Sequence, residues 1–132
     1  MTVGRLIAGR DVAVVTCDAD ASVREAVALL AERRIGAMPV LENGRIAGMF
    51  SERDVIYQLK ALGPAVLDLP LRDVMTRPAG TVAPETAVLA ALSLMTRRRI
   101  RHLPVVLGDE MVGLVSIGDL VKAKISEQSF II

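Results

Sequence analysis

The sequence predicts an α/β (α+β) fold of two tandem β-α-β-β-α units packed about a pseudo-twofold axis, and three observations predict it. The stretch "GMFSERDVI", Gly48 to Ile56, returns in the second half of the chain as "GLVSIGDLV", Gly113 to Val121. At that offset Thr16 to Ile56 lies on Thr81 to Val121 without a gap, with about 12 identities in about 41 positions, and most other pairs are conservative exchanges. Helical and strand periodicities follow the same order in both copies. A chain of 132 residues buries one ordinary core, so each half is expected to cover its apolar face with the other. The expected boundary separates 1–65, holding the first repeat and an N-terminal segment, from 66–132, holding a linker, the second repeat and a C-terminal tail. Together they make one module.

In the first unit "DVAVVT" (11–16) is a short β-rich run. "SVREAVALLAERRI" then places Val23, Ala26, Val27 and Leu30 at helical spacing, with Ser22 and Glu25 as a capping box and Gly36 as the stop. "AMPVL" and "RIAGMF" read as two strands joined through Asn43-Gly44, a strong hairpin signal. Ser51 opens a second helix, "SERDVIYQLKAL". The second unit repeats the order: "GTV", helix "TAVLAALSLMTRRRI" with Val88, Ala91, Leu92 and Met95 on one face, strand "HLPVV", turn "LGDE", strand "MVGLV", helix "SIGDLVKAKI". Pro39 and Pro104 cannot donate to a ladder and are expected at strand starts or on an edge. "KALGPAVLDLPLRDVMTRP", Lys60 to Pro78, reads as the linker.

Composition narrows the function. With 52% hydrophobic residues, no apolar run long enough to span a bilayer and no opening segment of signal-peptide type, the expectation is a soluble cytoplasmic protein with no membrane partner. A formal charge of +1 and 2% aromatic content give neither the basic footprint nor the stacking platforms that nucleic acid requires. One histidine and one cysteine, Cys17, leave no metal cluster to propose, and Cys17 reads as a small residue near a strand end. There is no Ser-His-Asp arrangement, no recognisable pair of catalytic carboxylates and no glycine-rich phosphate loop, so the chain is not expected to be an enzyme.

Two Ser-x-x-Asp motifs stand at strand-to-helix junctions: Ser51 to Asp54 and Ser116 to Asp119. Each admits two readings. One is a helix cap and nothing more. The other is a nucleotide site, since a helix N-terminus presents N–H groups to phosphate, a serine hydroxyl adds a donor, and a carboxylate accepts from ribose hydroxyls.

The paired units, with "RIGAMPV…GRIAGMFSERD" and "RIRHLPV…EMVGLVSIGD", resemble the CBS (cystathionine β-synthase) domain pair, or Bateman module, over nearly the whole chain. The resemblance implies a regulatory module that binds an adenine ligand (AMP, ADP, ATP, NAD or S-adenosylmethionine) in clefts between the CBS repeats, modulates an unidentified partner protein and associates as a homodimer. It favours dual use of the motifs, with Ser51 and Ser116 near phosphate and Asp54 and Asp119 on ribose. By family position Val14 and Val15 in one unit, and Ala79 and Gly80 in the other, would hold adenine through backbone and aliphatic groups, with Ile35 and Ile100 flanking the base. The same positions also suit the core of a small sheet.

The halves differ where a phosphate would lie. Gly36-Ala37 follow Ile35, whereas Arg101-His102 follow Ile100; conversely Arg53 precedes the first Asp and Gly118 the second. The two sites are therefore expected to be unequal, with the Asp119 site preferring a free phosphate. Arg33, Arg34, Arg98 and Arg99 suit the negative end of a helix dipole, and that second reading also applies to Arg101 and His102. A ligand-free dimerisation or scaffold module is the alternative function. The C-terminal "SFII" is a candidate dimer or partner contact, and no catalytic cofactor is expected.

Overall fold

The computed structural model describes residues 1–10 and 13–129, and the chain divides into two compact units. One is Val14–Ala79; the other joins Met1–Ala13 to Gly80–Ile132. The division thus runs at 79/80 rather than 65/66, and the N-terminal segment packs with the second repeat. The reason is that both non-repeated stretches are apolar enough to be buried. Val66 and Leu71 of the expected linker are fully buried in the first unit, and Val3 is fully buried in the second.

In the unit Val14–Ala79, strand β1 (Cys17–Asp18) runs parallel to β2 (Ala37–Glu42), which pairs antiparallel with β3 (Arg45–Ser51). The strand expected at 11–16 is therefore displaced: residues 13–16 are irregular, and pairing begins at Cys17 opposite Val40. Between β1 and β2 lies helix α2 (Val23–Arg33), numbered second because a five-residue helix, α1 (Val3–Ile7), precedes it in the other unit. Ser22 caps α2 by accepting from Glu25 N at 3.1 Å. The helix stops before Gly36, with Arg34 left-handed at φ 53°, so Ile35 N can reach back to Leu30 O at 3.1 Å. Asn43 and Gly44 take positive φ in the β2–β3 turn, as a two-residue hairpin requires.

Helix α3 (Glu52–Leu62) follows β3, and the chain then makes two 3₁₀ turns, Gly63–Asp68 and Leu71–Asp73. What the sequence suggested was a linker is the lid of this core. Val66, Leu71, Val74 and Met75 close over Val23, Ala26, Leu30, Met38, Val40 and Phe50. Burying a side chain of Phe50's size contributes about 1.5–3 kcal/mol.

Pro39 sits third in β2, the central strand, and not at a start or an edge. The ladder tolerates it because Met49, its register partner, exchanges both backbone bonds with Thr76 on the far side, at 3.0 and 2.9 Å. The Pro39–Met49 pair is thus one that makes no hydrogen bonds within the hairpin.

The second repeat obeys the same rules. Helix α4 (Val88–Arg98), strands β4 (His102–Leu107) and β5 (Glu110–Ser116) and helix α5 (Ile117–Ser129) follow in order, and Arg99 repeats the left-handed cap at φ 55°. The expected strand "GTV" contributes only Val82, which bridges Val105, the same pairing as Cys17 with Val40 shifted by the repeat. Both hairpins shift register at the equivalent place, between Val40 and Leu41 and between Val105 and Val106. Thr86 does not cap α4; its hydroxyl accepts from Ala83 N at 3.1 Å, while Val88 N donates to Met1 O at 3.1 Å. Val3 joins Val82, Val88, Ala91, Met95, Leu103, Val105, Val115 and Leu120 in this core. Of "SFII", only Ser129 belongs to the described residues, as the last of α5.

Candidate functional site

Each hairpin brings two of the expected motifs together. Antiparallel register sets Ala37 opposite Ser51 and His102 opposite Ser116. The residue before each, Gly36 or Arg101, accepts the first amide of the following helix: Glu52 N donates to Gly36 O at 2.9 Å and Ile117 N to Arg101 O at 2.8 Å. The loop after Ile35 or Ile100 is thereby stitched to the start of α3 or α5.

At each helix start the Ser and Asp form a reciprocal cap. Ser51 N donates to Asp54 Oδ2 at 2.9 Å, and Asp54 N donates to Ser51 Oγ at 3.3 Å. In the second repeat Ser116 N donates to Asp119 Oδ2 at 2.9 Å, and Asp119 N to Ser116 Oγ at 3.1 Å. The capping reading of both motifs is therefore correct. It uses only one carboxylate oxygen. The second, Oδ1, accepts from Thr76 Oγ1 at 2.9 Å in Asp54 and pairs with Arg10 Nη2 at 3.3 Å in Asp119.

The carboxyl of Asp119 is held below its ordinary value of 3.8. Burial alone would raise it, but the Ser116 amide, the Arg10 charge and the Ser116 hydroxyl together outweigh burial. Any stability from this group is present above pH 3.8 and is lost as pH falls through the depressed folded value. Cys17 moves the other way: burial pushes its thiol up, which leaves a weak nucleophile.

The remaining expected residues occupy varied settings. Arg53 and Gly118 are exposed on the first turns of α3 and α5. Val14 and Val15 are half-buried ahead of β1, and Val15 packs on the first core. Ala79 is half-buried at the end of the first unit. Gly80 is brought to Ile100: a Cβ on Gly80 would lie 3.3 Å from Ile100 Cδ1 and 3.2 Å from Arg98 Nη1. Ile35 and Gly36 line a groove of about 490 Å³ between α2 and α3, together with Val27, Leu30, Arg34, Glu52 and Val55 among others.

Three participants escaped the sequence reading. Thr76 and Arg10 lie in non-repeated stretches without periodicity, so only the repeat offset hints at them: moved back by that offset, Thr76 falls on position 11, next to Arg10. Glu52 is the third. Its Oε1 stands 3.1 Å from where a Gly36 Cβ would be, which places an anion over Gly36, whereas the equivalent position in the second repeat is the uncharged Ile117. Among the described residues no group of three or more His, Cys, Asp or Glu could hold a metal, and no helix is long and apolar enough to cross a membrane.

Comparison with known proteins agrees with this architecture. The family model for the CBS domain matches twice, over residues 9–61 and 71–126. The mitochondrial CBS domain-containing protein CBSX3 of Arabidopsis thaliana is 39% identical over 116 residues, covering 84% of this chain; the chain spans 56% of that protein. The crystal structure of the CBS-domain containing protein ATU1752 from Agrobacterium tumefaciens superposes with a TM-score of 0.86 at 32% identity, covering 93% of this chain and 92% of the other. CBSX2, solved in complex with AMP, gives a TM-score of 0.80 at 25% identity, with 96% and 98% coverage. The chain therefore belongs to the CBS-domain family, and it carries two CBS domains in tandem.

Proposed function

We propose that the chain is a regulatory module that binds an adenine nucleotide at its two Ser-x-x-Asp junctions and passes occupancy to a partner protein. The observation that carries this reading is the duplicated junction itself. In both repeats the hairpin register sets a loop residue beside a capped helix start, and in both the Asp keeps one oxygen outside the cap. That oxygen suits a ribose hydroxyl, and the helix N-terminus suits phosphate. The complex of CBSX2 with AMP supports the ligand class.

The proposed set is Val14, Val15, Ile35, Gly36, Ala37, Ser51, Arg53 and Asp54 for the first repeat with Ala79, Gly80, Ile100, Arg101, His102, Ser116, Gly118 and Asp119 for the second. AMP, ADP, ATP and NAD are the proposed ligands, and the cytoplasm is the proposed compartment. The two sites differ in charge. Glu52 stands over Gly36 and opposes a phosphate there, whereas Arg101 is exposed, its carbonyl accepting from Ile117 N at the start of α5, with no acid at the position of Glu52. The second site is thus the better one for a free phosphate.

A ligand of the native state adds RT ln(1 + [L]/Kd), about 2.7 kcal/mol at a hundredfold excess, which in a chain of this size is a melting shift of several degrees. A thermal-shift panel of AMP, ADP, ATP, NAD and S-adenosylmethionine against GTP and CTP should show that shift for at least one adenine compound. A flat response to every adenine compound would favour the ligand-free scaffold instead.

We also propose a homodimer closed by the helices. No residue of α3 is buried, and Ile56, Tyr57, Leu59 and Leu62 stand exposed on it. On α5 Ile117, Val121 and Ile125 make an exposed stripe at helical spacing. Single exposed apolar residues need no partner, but two such helix faces do. Light scattering should give about twice the 14.1 kDa chain mass, and a monomer at micromolar concentration would refute the dimer.

A further inference from the structure

The two repeats present the same pair of acceptors and satisfy it with different donors. In the first repeat the pair is Met49 O and Asp54 Oδ1. Both are met by one residue, Thr76, through its amide at 2.9 Å and its hydroxyl at 2.9 Å. In the second repeat the equivalent pair, shifted by the repeat offset, is Leu114 O and Asp119 Oδ1. Both are met by Arg10, whose Nη1 donates to Leu114 O at 3.2 Å while Nη2 pairs with Asp119 Oδ1 at 3.3 Å. A guanidinium's forked donors can serve two acceptors at once, so one side chain stands in for a backbone amide and a hydroxyl.

The substitution changes how firmly the acceptors are held. Thr76 is fixed by its own backbone, since it exchanges two bonds with Met49 as a short antiparallel bridge. Arg10 reaches its acceptors at the end of a long side chain, and both members of the ion pair are about one-third exposed, 38% and 34%. Such a pair is weak and screened by salt. We propose that Arg10 is a tethered gate on the second site: its guanidinium competes with ligand hydroxyls for Asp119 Oδ1, and binding there requires the side chain to leave. This rests on the reading that Asp119 receives a ribose. The first site has only a neutral hydroxyl to displace and carries no such gate. Affinity at the second site is then tied to the placement of the N-terminal segment, and a partner that draws Arg10 away raises it.

The experiment uses adenosine, which has no charge, so salt acts on the gate and not on the ligand. Calorimetry is run on the full chain carrying Asp54→Ala, which silences the first site, with and without Arg10→Ala; circular dichroism confirms folding, and Asp54→Asn replaces Asp54→Ala if needed. At about 50 mM salt Arg10→Ala should bind adenosine about two- to fivefold more tightly than its parent, the range expected from loss of an exposed ion pair. At about 300 mM salt the parent should approach Arg10→Ala, whose own affinity stays constant. Arg10→Lys, which keeps the charge but not the forked donors, should fall between the parent and Arg10→Ala at low salt. Equal affinity in parent and Arg10→Ala at both salts would overturn the gate while leaving the nucleotide reading intact. Weaker binding in Arg10→Ala would also overturn it, by making Arg10 a ligand donor. Absence of adenosine binding in every variant, with AMP still bound by the parent, would overturn the gate as a competition for ribose hydroxyls, and absence of both would remove the nucleotide reading as well.

Discussion

Gly48→Ala should destabilise the chain by about 2–3 kcal/mol, whereas the equivalent change in the second repeat, Gly113→Ala, should cost less than about 1 kcal/mol. A Cβ on Gly48 would lie 2.5 Å from Thr76 O and 3.2 Å from Met75 Sδ. The first of these is a backbone atom, and that backbone is pinned by the Met49–Thr76 bridge. Relief therefore requires breaking the bridge, which also withdraws the Thr76 hydroxyl from Asp54. A Cβ on Gly113 would meet Ile7 Cδ1 at 2.7 Å, the far end of a side chain that can rotate away. Thermal unfolding reads the difference as a fall of about 10 °C against a few degrees. Equal melting of the two variants, or a larger loss in Gly113→Ala, would contradict this assignment of the repeated glycines.

The second large effect is on binding. Asp119→Ala should abolish the tighter of the two adenine sites, a loss of at least about tenfold in affinity, since a ribose hydroxyl loses an ionised acceptor worth about 1.5–3 kcal/mol. Asp54→Ala should remove only the weaker site. Each also deletes half of a helix cap and should cost about 1 kcal/mol of stability, so binding is compared well below the melting temperature. Arg101→Ala should weaken AMP more than adenosine, because its guanidinium is proposed to meet the phosphate. Calorimetry with both ligands decides it. If Asp54→Ala abolishes the tighter site, or Arg101→Ala weakens AMP and adenosine alike, the two sites have been assigned the wrong way round.

How far the molecule could be read from its residues follows from how the repeats are built. Helices α2 and α4 carry three or four apolar residues at helical spacing over three turns, and the hairpins carry turn residues with positive φ, so both were legible. The first strands were not. They pair over two residues, Cys17–Asp18, or one, Val82, too short for any alternation, and the β-branched run before Cys17 drew the assignment toward residues 11–16. Prolines and glycine made Lys60 to Pro78 look like a linker. In fact Val66 and Leu71 bury fully because 3₁₀ turns tolerate Pro64 and Pro70 at their starts.

The candidate site divides in the same manner. Ser51, Asp54, Ser116 and Asp119 announced themselves by type, spacing and repetition, and the cap they form is local in sequence. Thr76 and Arg10 approach those carboxylates from distant points in the chain, Arg10 from its opposite end. Neither approach is encoded in a local pattern, since it depends on which non-repeated segment folds onto which repeat. Glu52 was visible as a residue inside the motif, yet its bearing on Gly36 appears only when the helix start is set against the loop before β2.

The central claim is that the duplicated Ser-x-x-Asp junctions form adenine-nucleotide sites, and titration of AMP into the purified chain by calorimetry, with GMP as the control, tests it most directly. The expected result is saturable AMP binding with two unequal sites per chain, abolished in the Asp54→Ala/Asp119→Ala double variant, and no comparable heat from GMP. Equal binding of AMP and GMP, or AMP binding unchanged in the folded double variant, would contradict it.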